Sequence, residues 1–133
     1  DVDLPEIEDM PTKTYRVAAN GRRLLIKELS SKAVADLYAR HVHGVLLRLA
    51  GIVFAELPTV ERVVLSGYTQ RVDPSTGSEA DDYVLSARIE RAAFLRLNLS
   101  APKAIDPVAA YTGFDCRRGF ARGLMRSIQP FEV

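Results

Sequence analysis

Between Ser30 and Leu57, apolar side chains recur at Val34, Leu37, Tyr38, Val42, Val45, Leu46, Leu49, Ile52, Val53 and Leu57. This three-and-four spacing predicts one long amphipathic helix with a single buried stripe. Ser30 or Ser31 is placed to cap its free N–H groups, and Pro58 ends it, because proline cannot extend the hydrogen-bond ladder. On this spacing His41 lies at the edge of the stripe, and His43 points away from it to the surface.

The rest of the chain alternates apolar and polar positions. Residues 15–27 read as a β-hairpin, with Asn20-Gly21 as a two-residue type I′ turn between β-forming flanks. Residues 61–71 and 82–90 read as a second strand pair, with Tyr83, Leu85, Ala87 and Ile89 alternating to one face. The connector between them holds Pro74, Gly77 and the acids Asp73, Glu79, Asp81 and Asp82, the composition of an exposed tip. A short helix over residues 91–97 follows. Asp106-Pro107, an acidic cap before proline, signals another helix start that closes near Gly113. The last twenty residues, broken by Gly119, Gly123 and Pro130, read as an irregular or strand-like tail anchored by aromatics. Together these elements predict an α+β fold: a small antiparallel sheet of hairpins packed against one long central helix.

Composition and charge refine this picture. The 133 residues are 47% hydrophobic and 26% charged, which suits a single folded domain burying roughly two-thirds of its unfolded surface. Residues 1–14 carry Asp1, Asp3, Glu6, Glu8 and Asp9 against Lys13 alone, with Pro5 and Pro11 between them. This composition predicts an acidic linker or arm, ahead of a single domain over residues 15–133; folding back onto the body is the alternative. The body holds 17 basic and 12 acidic side chains. Arg40 and Arg48 interrupt the longest apolar stretch, far short of the roughly 18 residues of a membrane span. The opening Asp1-Val2-Asp3 lacks the basic-then-apolar order of a secretory signal. A lone cysteine, Cys116, forms no internal disulfide and favours a reducing compartment, so a cytoplasmic setting is expected. The acidic opening and absent initiator methionine suggest a piece of a longer protein.

Among candidate chemical groups, Cys116, Gly119 and Arg122 match the Cys-x-x-Gly-x-x-Arg spacing of cysteine-dependent phosphatase loops. There a thiolate attacks phosphorus while loop amides and the arginine hold the oxygens. Asp115 stands where that family carries histidine, Gly123 where it carries serine or threonine, and little chain remains for a supporting helix. A small structural cysteine is the plainer reading. Arg117, Arg118, Arg122 and Arg126 form a second candidate, an anion or nucleic-acid site. Arg88, Arg91, Arg96 and Lys103 add charge nearby, and Phe114 and Phe120 could stack on bases; a solvated, ion-paired surface is the alternative. His41 and His43, two residues apart on a helix, point about 200° from each other and make no metal pair. The acids of the 73–82 connector lack a companion base for nuclease chemistry. No Gly-rich phosphate motif, nucleophile elbow or cofactor motif occurs.

Several strings together resemble a bacterial C-terminal domain family of unknown function. They are Leu46-Leu-Arg-Leu-Ala50, Val53-Phe-Ala-Glu-Leu-Pro58, Asp73-Pro-Ser-Thr-Gly77 and Leu85-Ser-Ala-Arg88-Ile-Glu-Arg91. Asp106-Pro107, Phe114 and Gly119-Phe120 complete the pattern, which spans residues 32–131. The resemblance implies a module appended to larger bacterial proteins, and it carries no catalytic residue with it. The expected function is therefore a non-catalytic binding or assembly module, its partners other domains of the parent or another protein. A homodimer through the edges of the 15–27 or 61–90 hairpins is included in that expectation. Nucleic-acid binding through the C-terminal arginines is the alternative, and phosphoryl chemistry at Cys116 a third.

Overall fold

The computed structural model describes residues 1–133. Strand β1 (Val2–Asp3) opens the chain, and a 3-10 turn (Ile7–Asp9) leads to the hairpin of β2 (Lys13–Val17) and β3 (Leu24–Glu28). Helix α1 (Ser31–Glu56) follows, then the long ribbon of β4 (Arg62–Val72) and β5 (Glu79–Glu90). The one-turn helices α2 (Arg91–Phe94) and α3 (Pro107–Ala110), strand β6 (Asp115–Arg117) and a small hairpin of β7 (Phe120–Ala121) and β8 (Leu124–Met125) complete it. The main sheet runs β1-β4-β5-β6, with β1 parallel to β4 and the other pairs antiparallel. The α+β architecture is the expected one, with a mixed rather than wholly antiparallel sheet.

Helix α1 is capped by Ser30, whose Oγ accepts from the Ala33 N–H at 3.1 Å, a contact worth about 1 kcal/mol. Its buried face runs through Ala35, Tyr38, Ala39, Val42, His43, Leu46, Ala50 and Phe54. The strand residues Leu85, Ala87 and Ile89 meet it, all fully buried. The stripe is rotated from the one that the large side chains alone define. Three alanines carry much of it, while Leu37 and Ile52 stay 38% and 49% exposed. The rotation reverses both histidines: His43 is fully buried and His41 is exposed.

The acidic leading segment folds back onto the body. Val2 and Asp3 pair with Gly67 and Tyr68, and Leu4 is 4% exposed. The Tyr83 hydroxyl donates to Asp1, the Tyr38 hydroxyl donates to the Pro5 carbonyl, and Arg71 pairs with Glu6 and Glu8. Gly67 makes this docking fit, since a Cβ there would stand 2.6 Å from Leu4 Cδ1. The linker expectation thus gives way to its alternative: five acids are tolerable at the surface because one buried leucine and a short strand anchor them.

The far face of the sheet is covered by the tail. The Phe131 N–H donates to Ser86 Oγ, and Ser86 shares a hydrogen bond of 2.7 Å with Ser66. Phe131 lies between the guanidinium groups of Arg88 and Arg117, 3.9 and 4.2 Å from its ring centre. No helix is long and apolar enough to cross a membrane.

Candidate functional site

The C-terminal arginines do not converge. Arg117, on β6, donates to the Gln129 and Pro130 carbonyls and stacks on Phe131. Arg118, the next residue, points the opposite way and donates to His43 Nε2 at 3.0 Å and the Val108 carbonyl at 2.8 Å. Arg122 occupies a left-handed position (φ 52°) in the β7–β8 turn, beside Gly123 (φ 81°), and both Arg122 and Arg126 are exposed. Arg88 pairs with Asp115. Arg91 donates to the Phe54, Leu57 and Val60 carbonyls, closing the free C-terminal end of α1. Arg88, Arg91, Arg117 and Arg118 therefore hold the fold together, and Arg122 and Arg126 remain on the surface.

Cys116 is a ladder residue paired with Ala87, its thiol 3.7 Å from the Tyr111 carbonyl. Burial pushes the thiol pKa up, against the pull of Arg118 and with a further push from Asp115. Residues 116–122 run from strand into hairpin, where a phosphate-cradling loop needs a strand feeding a loop and then a helix. Thiolate chemistry is disfavoured at this position on both counts.

His43 sits under β7, 6.3 Å from the Phe120 ring and nearly parallel to it, and edge-on to Tyr111 at 4.9 Å. Its Nδ1–H donates to the Ala39 carbonyl at 2.6 Å while Nε2 accepts from Arg118. The Tyr111 hydroxyl donates to the His43 carbonyl. Burial lowers the His43 pKa to about 4, and the Arg118 charge adds to this. The imidazole is a neutral strut joining α1 to the C-terminal third. Burial likewise raises the Tyr111 pKa. A nearby cleft of about 410 Å³ is lined by Asp36, Arg40, Asp106, Phe120 and others. Asp106 there accepts from the Val108 N–H as the cap of α3. The cleft has no serine, threonine, cysteine or lysine in its lining, and no group of three or more metal-ligating side chains exists in the molecule. The connector is shorter than expected, residues 73–78, because Glu79, Asp81 and Asp82 pair with Val72, Gln70 and Thr69 in the β4–β5 ladder; within it Asp73 accepts from the backbone N–H and hydroxyl of Ser75, an ordinary turn.

The feature that sequence reading underrated is the β2–β3 hairpin. Its register pairs Lys13 with Glu28, Tyr15 with Ile26 and Val17 with Leu24, so these six side chains share one face. Tyr15, Val17, Leu24 and Ile26 are 62–63% exposed, and only Leu25 among the strand residues is half-buried. Both strands pair solely with each other. The turn is wider than the two-residue type I′ expected. Val17 pairs with Leu24, the Gly21 N–H donates to the Ala18 carbonyl, and Gly21 alone takes positive φ. This wider loop places Arg22 and Arg23 at the tip. Residues 13–28 hold Lys13, Arg16, Arg22, Arg23 and Lys27 against Glu28 alone. The available sequence signal was that charge density next to an alternating apolar pattern.

Comparison of the chain with family models, with curated proteins and with solved structures finds no match.

Proposed function

We propose that this α+β domain is a non-catalytic binding and assembly module of a larger bacterial protein, with the β2–β3 hairpin as its docking element. One observation carries the reading: four large apolar side chains lie on one face of a ribbon that nothing else in the chain covers. A lone two-stranded hairpin is at best marginally stable in water, and a contiguous apolar patch marks an interaction surface. Arg117, Arg118 and Cys116, three of the residues that suggested chemistry, are tied into the fold, which supports the same reading.

The test is a photo-crosslinking side chain introduced at Leu24 on the full chain, with Leu37 on α1 as control, illuminated in bacterial extract. Adducts formed from position 24 and absent from position 37 are expected. No adduct of any mass from position 24 ends the docking reading.

Nucleic-acid binding is the second reading, and one observation favours it on the hairpin rather than on the C-terminal arginines. Arg16, Arg22, Arg23 and Lys27 stand exposed on a ribbon narrow enough to enter a major groove of about 12 Å. It predicts a mobility shift with duplex or single-stranded DNA that weakens steeply with salt. Absence of any shift at low salt ends it.

A further inference from the structure

We propose that the cleft between helix α1, the β4–β5 ribbon and the β7–β8 hairpin binds a primary ammonium group on a short aliphatic stem. None of its lining residues belongs to the β2–β3 hairpin, so the site is independent of the docking reading. Its volume is about 200 Å³, room for about six waters or one amine of about four to six carbons. Ile7, Val84, Leu124 and Met125 form its apolar wall. Tyr38, Thr69, Arg71 and Asp82 form its polar side.

A β-bulge builds that polar side. Gly67 faces Leu85 and Tyr68 faces Tyr83, so Val84 is an extra residue in β5. Beyond the bulge the alternation changes phase. Tyr83 leaves the face that carries Leu85, Ala87 and Ile89, and stacks with Tyr68 on the other side. Asp82 joins the α1 face instead, directly opposite Thr69. Asp82 is half-buried and takes part in no ion pair or side-chain hydrogen bond, since Arg71, the one cation of the lining, is taken up by Glu6 and Glu8. Thr69 is 2% exposed, and its hydroxyl has no hydrogen-bond partner in the protein. The only solvent-sealed side-chain atom without a hydrogen bond is Glu6 Oε2, so the Thr69 hydroxyl opens into the cleft it lines. A polar group buried this far without a partner is costly, and a ligand that bonds to it recovers that cost. The Tyr38 hydroxyl donates to the Pro5 carbonyl at 3.0 Å, which leaves its oxygen free to accept.

These groups select a cation. Glu6, Glu8 and Asp82 against Arg71 leave a surplus of negative charge around the cleft. The Asp82 carboxylate and the oxygens of Thr69 and Tyr38 are acceptors for the three N–H donors of a primary ammonium. An anion would meet a guanidinium already held by two carboxylates. A metal ion would need a larger set of ligating side chains, and no such group exists. The apolar wall takes the stem, with the flexible thioether of Met125 adapting to its shape. A free amine and a lysine side chain share this chemistry.

Amide and methionine-methyl NMR on the full chain, titrated with n-butylammonium, tests the proposal. Saturable shifts at Thr69, Asp82 and Met125 are expected, with millimolar dissociation for a ligand of about five heavy atoms. Asp82→Asn weakens binding on the order of tenfold and Thr69→Val about threefold, both near-isosteric changes that leave the rest of the spectrum in place. Butanol and butyrate, of the same length, bind about tenfold more weakly than the ammonium or worse. Nα-acetyl-lysine methylamide separates the two sources. Binding at least as tight as that of butylammonium supports a lysine side chain, and its exclusion supports a free amine.

The absence of saturable shifts up to about 50 mM overturns the proposal. Equal binding of butyrate or butanol overturns it too, as does binding indifferent to Asp82→Asn and Thr69→Val. None of these outcomes bears on crosslinking from position 24, so the two readings fail separately.

Discussion

In the body, Leu85, Ala87 and Ile89 alternate along β5 and lie fully buried against α1. In the hairpin, Tyr15, Val17, Leu24 and Ile26 follow the same two-residue period and remain 62–63% exposed. Local pattern is equal in the two regions; what differs is whether a second layer lies over the apolar face. Burying a large aliphatic side chain contributes about 1.5–3 kcal/mol, and the hairpin forgoes that gain within a single chain. The body is thus the packed scaffold, and the hairpin is the apolar face on which the proposed docking function rests.

The contrast is most sharply tested by paired substitutions. Leu46→Ala, at a fully buried site of α1, is expected to cost about 2–5 kcal/mol in urea unfolding, whereas Ile26→Ser costs less than about 0.5 kcal/mol. Equal losses would show that the hairpin is packed after all.

Acid is the next lever, acting on the body alone. With its pKa near 4 rather than 6.5, His43 stays neutral in the folded protein while the unfolded chain takes up a proton below pH 6.5. Its contribution is complete above that pH and declines as pH falls toward 4, by about 3 kcal/mol. His43→Gln should flatten this part of a stability-against-pH curve; an unchanged slope would remove His43 as its source. Arg91→Met comes next. It keeps the stem and removes the donors that serve the Phe54 and Leu57 carbonyls at the end of α1 and the Val60 carbonyl just beyond it, for an expected loss of about 1–2 kcal/mol by thermal melting. Smallest is Cys116→Ser, a near-isosteric change in a half-buried ladder position, expected within about 1 kcal/mol. The parent thiol should react slowly with alkylating reagents at neutral pH, and rapid labelling would contradict its raised pKa.

Element types were legible in the sequence because they follow from local periodicity: the long helix, the ribbon of β4 and β5, the Ser30 cap and the Asp106 cap all appear where the pattern placed them. Orientation was less legible. The stripe of α1 was centred on large side chains, while Ala35, Ala39 and Ala50 supply the close contact that turns His43 inward. The candidate arginines were legible as charge but not as structure. Whether a guanidinium faces solvent or stacks on Phe131 depends on where a tail more than ten residues away returns. The exposure of the hairpin was illegible for the same reason, since alternation looks alike with or without a covering layer.

The notch at Gly67 reaches beyond local fit. Leu4 Cδ1 lies 2.6 Å from where a Cβ would stand, and β1 in turn occupies the outer side of β4 at Gly67 and Tyr68. A side chain larger than hydrogen at position 67 would force Leu4 to shift and weaken the seat of β1, the strand that covers part of the β4 edge. One missing methyl group thus lets β1 cover this stretch of the β4 edge.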